Sequence, residues 1–258
     1  MPNAAPFSFW KTTPIQLLGR PLALASLWGF GSLLLVSPAA IAQITQATIT
    51  EILDGDAVFV ETGVNDARVP ATVDTIVEFQ ETVRTEEARA ALAFDNGAVG
   101  RMAMNSQITV GQCIEVQQGI LLAAGPANGC TATFSIGVQG TTYAIVLDEE
   151  TGDQRIQVLE GVLDVELTDE SSPEPERLQR VRSGEELTID ADGRFGARRP
   201  LRQDDIEMLL RNDVFEGFEG TLPGIENLEL TLTNLYGGAD IPCLPGFQRC
   251  TTPIRGLF

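Results

Sequence analysis

Residues 135–167 read SIGVQGTTYAIVLDEETGDQRIQVLEGVLDVEL, and this stretch indicates the fold class. Large apolar side chains occupy every second position from 143 to 147, which is the period of a half-buried β-strand. Residues 148–153 are polar and contain a glycine, as a turn requires. Because the alternation resumes at residues 156–158, the simplest interpretation is an antiparallel hairpin in a β domain.

The alternation is interrupted once more, at Glu160-Gly161, before it resumes at Leu163 and Val165. A glycine inside a strand pattern indicates a bulge, or a sharp bend where a strand crosses to another layer. Gly140 interrupts the pattern in the same way ahead of residue 141. We therefore expect both glycines to be structural and not catalytic.

Four motifs, in this order along residues 83–189, resemble the FecR domain family. The first is ARAALAFDNG at residues 88–97, followed by Arg101 and Asn105-Ser106. The others are a "GT-aromatic" step, a "V-L-E-G-x-V" step and a closing "V-x-x-G-E" strand at residues 181–185. The residues that carry the resemblance as structural positions are Gly97, Gly140, Thr141, Tyr143, Glu160, Gly161 and Gly184.

The resemblance implies an extracytoplasmic β domain. In the family's best-known members this domain senses an outer-membrane transporter and regulates a cytoplasmic sigma factor. Those members also carry a cytoplasmic anti-sigma segment and a transmembrane helix, whereas this chain has about twenty residues before its first apolar run. We therefore expect an exported, single-domain member that serves as a non-enzymatic binding or structural module of the cell envelope.

Composition excludes several kinds of chemistry. The chain has 258 residues and no histidine, which removes Ser-His-Asp, Cys-His and His-zinc sites. It also has no phosphate-binding glycine loop, and its only lysine is Lys11. Glycoside hydrolysis needs a pair of carboxylates, but with 36 acidic residues some pair will always lie at a suitable separation, so such a pair indicates nothing. The sequence therefore predicts no enzymatic activity and no cofactor.

The N-terminal residues resemble an export signal. Lys11 and Arg20 precede an uncharged, leucine-rich run at residues 21–36, and Ala40-Ile41-Ala42 fits the small-x-small cleavage rule. Cleavage is expected between Ala42 and Gln43, which predicts a periplasmic or extracellular protein without membrane insertion after signal removal. The alternative is an uncleaved transmembrane anchor, because no charge occurs between Arg20 and Glu51.

The net charge of the chain indicates which kinds of partner it can bind. The chain carries −19, and without residues 1–42, which hold only two cations, the remainder carries −21. Such a surface repels nucleic-acid phosphates, so the expected partner is an envelope protein or polysaccharide. Arg198, Arg199 and Arg202 form a basic group in this acidic chain, and their simplest role is pairing with nearby carboxylates.

The sequence predicts an all-β fold, an antiparallel sandwich or roll of short strands with one C-terminal helix. Its expected divisions are a signal peptide (1–42), an N-terminal β segment leading into the core (43–82), a FecR-like β domain (83–200), a helix (201–216) and a Pro/Gly-rich, disulfide-bearing tail (217–258). Within 43–82, two short strands surround Asp54-Gly55-Asp56. Asn96-Gly97 predicts a hairpin turn.

The single helix is expected from residue 205 to about residue 214. Asp204 is its expected N-cap, and Ile206, Leu209, Leu210 and Val214 share one helical face. Leu228, Leu230 and Leu232 beyond it are strand-like or irregular in pattern, and the tail is rich in glycine and proline. We therefore expect that tail to be extended or loosely docked.

Four cysteines follow the export signal, at Cys113, Cys130, Cys243 and Cys250. Export places them in an oxidising compartment, where three pairings are possible. Proximity favours Cys113 with Cys130 and Cys243 with Cys250. A four-cysteine metal site is the alternative, but its short C-x₂-C spacings are missing.

Two other functional classes stay open. The first is a component of a transmembrane, sigma-factor-regulating signalling system whose cytoplasmic domain lies on another chain. The second is a calcium- or carbohydrate-binding surface protein, because residues 190–193 (DADG) share part of a calcium-loop pattern. The further oxygen ligands and the distal glutamate of that pattern are missing, so no metal site is expected.

Overall fold

The computed structural model describes residues 44–63, 67–169, 173, 176–210, 214–237 and 247. Strands alternate with short turns as far as residue 200, and helices follow. The elements are β1 (Gln46–Leu53), β2 (Val58–Thr62), β3 (Ala67–Pro70), β4 (Ile76–Glu78), β5 (Thr82–Thr85), β6 (Arg89–Phe94), β7 (Val99–Met102), β8 (Gln107–Thr109), β9 (Ile114–Gln118), β10 (Ile120–Gly125), β11 (Gly129–Cys130), β12 (Phe134–Val138), β13 (Thr141–Leu147), β14 (Gln154–Glu160), β15 (Val162–Leu167), β16 (Leu178–Arg182), β17 (Glu185–Ile189), β18 (Phe195–Pro200), α1 (Gln203–Leu210) and α2 (Ile225–Tyr236).

These strands form two nine-stranded sheets. The first has the order β18-β17-β14-β13-β10-β7-β6-β1-β4, and the second has the order β16-β15-β12-β11-β9-β8-β5-β2-β3. Neighbouring strands are antiparallel except β9 and β11, which are parallel. The predicted all-β, antiparallel sandwich is therefore confirmed.

The two sheets are connected along one row of sharp bends. In this row, seven strands of the first sheet are each joined to a strand of the second by one to four residues, and the seven pairs follow the same order in both sheets. We call this row of connections the fold line, because the arrangement equals one sheet folded on itself. The bend predicted at Gly161 is confirmed, since β14 and β15 lie in different sheets.

Positive backbone φ angles are frequent on the fold line. Gly119, Gly140, Gly161 and Gly184 have φ values of 75°, 67°, 91° and 77°. Residues other than glycine rarely adopt these values, which explains why glycine occupies these four bends between the sheets. The turn at residues 54–56 belongs to the same row, because the predicted strands on either side of it, β1 and β2, lie in different sheets.

Apolar residues form two cores. The larger core lies between the sheets and includes Leu92, Phe94, Tyr143, Ile156 and Leu187. The second core covers part of the outer face of the first sheet, where Leu122, Ala144 and Leu159 lie beneath Ile206, Leu210, Phe215, Leu228, Leu232 and Phe247. The molecule is thus layered as sheet, sheet and helices.

The first helix differs from its prediction only at its ends. α1 begins at Gln203, so Asp204 lies in its first turn and is not the N-cap. The Asp205 carboxylate accepts a hydrogen bond from the Arg202 N–H at 2.8 Å and so satisfies a backbone donor at the helix start. Ile206, Leu209 and Leu210 are buried against the sheet, as their spacing predicts, but Val214, predicted on the same helical face, lies buried in a turn beyond α1.

The second helix corrects two expectations. A single helix was expected, and residues 217–258 were expected to be an extended or loosely docked tail, but α2 spans Ile225–Tyr236. Ile225, Leu228 and Leu232 are buried at helical spacing, and α2 packs on β14. Leu228, Leu230 and Leu232 also fit the two-residue period of a strand, so the pattern alone is compatible with a strand and with a helix. Packing on the sheet selects the helix.

Candidate functional site

Several predicted motif residues meet at the fold line, where β12–β13 and β14–β15 bend side by side. A Cβ on Gly161 would lie 2.4 Å from Thr141 Cγ2, so a side chain would displace Thr141 as well as strain the backbone. A Cβ on Gly140 would meet nothing within 4 Å, although its φ is also positive. The glycine at 161 is thus required by close packing and by φ, and the glycine at 140 only by φ.

Hydrogen bonds fix the neighbouring bend of β16–β17 against Gly161. The Gly161 N–H donates to Ser183 Oγ at 2.9 Å, and the Ser183 N–H donates to the Gly161 carbonyl at 3.0 Å. The Gly184 N–H donates to the Val158 carbonyl at 2.8 Å. A Cβ on Gly184 would lie 2.9 Å from a Leu235 methyl group of α2, so this glycine also sits beneath the helix layer.

Tyr143, the aromatic residue of the "GT-aromatic" step, lies in the core between the sheets and is fully buried. Its hydroxyl donates to the Ala127 carbonyl at 2.8 Å, and burial raises its pKa far above the ordinary range. A Cβ on Gly129 would lie 2.7 Å from that hydroxyl, so Gly129 leaves the space that the phenol occupies. The geometry gives Tyr143 a packing role.

Glu160 borders an open cavity of about 600 Å³ beside the fold line. The cavity is also lined by Gly140, Val162, Asp164 and Arg180. Partial burial raises the pKa of Glu160. Arg180 donates to both carboxylate oxygens of Asp164, at 2.7 and 3.0 Å, and this hydrogen bonding lowers the pKa of Asp164. Of the two carboxylates at this cavity, Asp164 is therefore already paired with Arg180.

Gly97, the remaining motif residue, lies at the other end of its strands. It has φ +85° in the turn between β6 and β7, and these strands pair as the sequence predicts. Asn96 Nδ2 donates to the Pro126 carbonyl at 2.9 Å, which attaches this turn to the start of the connection to β11. The structure therefore does not bring Gly97 together with the motif residues of the fold line.

The predicted disulfide between Cys113 and Cys130 is confirmed, with the two Cα atoms 5.8 Å apart. It joins the start of β9 to β11, beside the parallel pairing of these strands. The predicted pairing of Cys243 with Cys250 and the predicted cleavage between Ala42 and Gln43 lie outside the described residues, and both stay predictions.

One cluster that sequence reasoning missed attaches residues 214–221 to the first sheet. Phe218 is buried beneath two guanidinium groups, with its ring centroid 4.7 Å from Arg101 Cζ and 5.4 Å from Arg89 Cζ. Arg101 donates to the Gly220 carbonyl at 2.5 Å, and burial lowers its pKa to about 10. Glu51 accepts the Gly220 N–H at 2.9 Å.

The basic group predicted to pair with nearby carboxylates also attaches the helices. Arg199 lies 3.0 Å from Glu186 and 2.6 Å from Asp205, and so joins β17 to α1. The buried Glu186 carboxylate also accepts a hydrogen bond from Gln157 Nε2 at 2.7 Å. Hydrogen bonding to Arg199 lowers the pKa of Asp205. These charges therefore stabilise the layered fold.

One pair of sheet edges forms an acidic, apolar surface. We call this surface the acidic end, and it consists of β3, β4 and residues 71–81. β4 is the edge strand of the first sheet, and β3 is the edge strand of the second. Its exposed large side chains are Val69, Val73, Ile76 and Phe79, which are 53, 47, 53 and 44% exposed. Asp74, Glu78 and Glu81 lie among them. Large apolar side chains grouped at a free edge indicate a contact surface.

The opposite pair of sheet edges is basic. We call it the basic end; it consists of β16 and β18, with the exposed β15 residue Val162 beside β16. Leu178 is 46% exposed, and Arg182 and Arg198 are exposed near it. Residues 177–202 contain seven arginines and four acidic residues, whereas residues 44–81 contain one arginine and eight acidic residues. Within the ends themselves, β16 and β18 carry four arginines and no acidic residue, whereas residues 67–81 carry one arginine and three acidic residues, so the two ends have charges of +4 and −2.

Exposed apolar side chains are concentrated at these two ends. Six of the eight large hydrophobic side chains exposed in the described part of the chain belong to them, and the other two, Leu230 and Leu235, lie on α2. The segment charges can be read from the sequence. Their placement at opposite edges could not be, because it depends on the order of strands in both sheets.

Within the described ranges, no group of three or more acidic or cysteine side chains is placed to hold a metal ion. In the DADG turn, Asp190 accepts the Arg194 N–H at 2.8 Å and Asp192 pairs with the Arg194 side chain at 2.8 Å. No helix among these same residues is both long and apolar enough to cross a membrane.

Comparison with known proteins gives partial likenesses only. No family profile matches the chain, and no curated protein matches it. Two similar solved structures, at 1.65 and 2.50 Å resolution, are of a Parabacteroides distasonis ATCC 8503 protein described as a "putative anti-sigma factor". Each is 12% identical to this chain, with TM-scores of 0.39 and 0.42. The matches cover 46 and 50% of this chain and 59 and 64% of those chains, which is less than two thirds of their length.

Proposed function

We propose that this chain is an exported FecR-like β module that acts in the cell envelope by protein–protein contact and not by catalysis. The observation that carries the proposal is the concentration of exposed apolar side chains at the two sheet ends. A patch of this kind on an otherwise acidic, soluble surface is typical of a site that another protein covers.

The FecR part of the proposal is supported by the positions of the motif residues. Gly140, Thr141, Glu160, Gly161 and Gly184 belong to three neighbouring bends of the fold line. Such positions explain the residue types at these three bends, since a positive φ or a close backbone approach favours glycine.

A contact role is favoured over catalysis because several buried polar groups have structural partners. Tyr143 donates to a backbone carbonyl, and Glu186 is held by Gln157 and Arg199. Catalytic acids, bases and nucleophiles usually face a cleft, whereas Tyr143 and Glu186 are buried inside the fold.

The experiment is site-specific photo-crosslinking in producing cells. A photoreactive phenylalanine analogue replaces Ile76 at the acidic end, Leu178 at the basic end, or Leu230 on α2 as a control that is also exposed. We expect protein adducts in the envelope fraction from positions 76 and 178 and few from position 230. Equal labelling at all three positions, or none at the two ends, would contradict the proposal.

The adducts also separate the other functional classes. An adduct with an inner-membrane or transporter protein would favour the signalling class, in which a cytoplasmic domain lies on another chain. Calcium-dependent thermal stabilisation, or retention on polysaccharide without any protein adduct, would favour the calcium- or carbohydrate-binding class instead.

A further inference from the structure

We infer that the protein covering each end is a second copy of this chain, so that the acidic end of one molecule docks on the basic end of the next. The inference rests on the proposed function, and it adds the identity of the partner and the direction of assembly. The two ends are complementary in charge, and both expose apolar side chains.

Charge favours this arrangement over contact between like ends. Two acidic ends would bring Asp74, Glu78 and Glu81 against the same three carboxylates in a chain that already carries −19. Docking on the basic end brings them instead against Arg182 and Arg198, which the structure leaves exposed. Charge complementarity of this kind selects the partner and its orientation more than it adds affinity.

Apolar contact supplies the attraction that charge alone does not. Ile76 and Phe79 at one end match Leu178 and Val162 at the other, and all four side chains are at least two-fifths exposed. Removing such surfaces from water is favourable in proportion to the apolar area covered. The acidic rim and the arginines would then surround an apolar centre, as in most protein interfaces.

The position of the two ends predicts an open assembly. Nine strands at a spacing of about 4.8 Å place the ends of each sheet about 38 Å apart, so one molecule can hold a neighbour at each end. Contact between different surfaces of identical molecules produces rings or open filaments instead of closed dimers. The assembly is therefore expected to extend with concentration.

The contact is made by side chains and not by continuous strand pairing. β4 has three residues, and the Glu78 N–H already donates to Glu81 Oε2 at 2.9 Å. β3 has four residues and ends at Pro70, which has no N–H to donate. Short edge strands that carry proline and charge are protected against simple extension of the sheet.

Sedimentation velocity of the purified mature protein tests the inference. Two variants are used, each with one end disabled, and they are measured separately and as a mixture. Ile76→Asp disables the acidic end, and Leu178→Asp with Arg182→Glu disables the basic end. Leu230→Asp adds one negative charge, as Ile76→Asp does, at an exposed position outside both ends. Thermal melting curves show whether each variant remains folded.

We expect the wild-type protein and Leu230→Asp to form species larger than dimers as concentration rises. Each end variant alone should stay monomeric, with association weakened about tenfold or more. An equimolar mixture of the two end variants should form a dimer and nothing larger, because each retains one intact end. Raising salt from about 0.01 M to about 1 M shortens the screening length from about 30 Å to about 3 Å, which screens the attraction between unlike ends and also the repulsion between molecules that each carry −21, so assembly is measured at both salt concentrations.

Three results would overturn the inference. A wild-type protein that stays monomeric at high concentration and at both salt concentrations would show that another protein covers the ends, and envelope crosslinks at positions 76 and 178 would then still support the proposed function. Self-association of either end variant alone would show contact between like ends. A mixture that remains monomeric while the wild type assembles would place the contact elsewhere.

Discussion

The fold line and the two sheet ends differ in what determines them. Backbone conformation and close packing determine the fold line, where Gly161 approaches Thr141 and Ser183 hydrogen-bonds the backbone. Side chains determine the ends, where Ile76 and Leu178 are exposed. The difference indicates that substitutions at the fold line change stability, whereas substitutions at the ends change association.

The largest expected effect on stability is at the fold line. Gly161→Ala places a methyl group against Thr141 and strains a backbone with φ +91°, so we expect a loss of about 2–4 kcal/mol in unfolding free energy. Gly140→Ala is the matched control, because it has positive φ without a clash and should cost about 1 kcal/mol. Denaturant titration measures both, and equal losses would show that packing against Thr141 is not decisive.

The next effect tests whether the "GT-aromatic" residue has a packing role. Tyr143→Phe removes the hydroxyl that donates to the Ala127 carbonyl and leaves a buried acceptor without that donor, so we expect a loss of about 1–2 kcal/mol. Association by the ends should be unchanged, as measured by sedimentation. Loss of assembly in a protein that is still folded would show that the core and the ends are coupled.

A smaller effect is expected from pH at the ion pair that attaches α1. Arg199 lowers the folded-state pKa of Asp205, so this carboxylate stabilises the fold above its ordinary pKa of 3.8, and the stabilisation is lost as pH falls through the lower folded value. Melting curves of the wild type and Asp205→Asn should differ by a constant amount near neutral pH and converge in acid. If the difference between the wild type and Asp205→Asn grew in acid, the ionised Asp205 carboxylate would not be what stabilises the fold.

The smallest effect on stability is expected at the ends. Ile76→Asp changes an exposed edge residue, so its unfolding free energy should stay within about 0.5 kcal/mol of the wild-type value. The same variant should lose association. A large loss of stability would show that Ile76 contributes to the fold in the single molecule.

Local patterns in the sequence are sufficient to predict much of the sheet structure. The two-residue period, the turn at Asn96-Gly97 and the bend at Gly161 depend on neighbouring residues only, and each has a strong backbone cause. The disulfide followed from proximity and export. α2 did not follow, because Leu228, Leu230 and Leu232 fit both a strand and a helix until the sheet beneath them is known.

The candidate surfaces depend on information that no short window contains. Residues 44–81 and 177–202 differ in charge, but only the strand order places them at opposite edges of both sheets. The cluster of Arg101 and Phe218 likewise joins residues 117 positions apart. Such contacts arise from topology and could not be predicted from composition or spacing.

Hydrogen–deuterium exchange of the purified protein, compared between dilute and concentrated samples at low salt, tests the central claim most directly. We predict that β3, β4, β16 and β18 become protected together on concentration, while the bends at Gly140, Gly161 and Gly184 and the exposed face of α2 do not change. Ile76→Asp should abolish protection at both ends at once, since each contact joins the acidic end of one molecule to the basic end of another. Protection at one end alone, or at the fold line, would contradict the account.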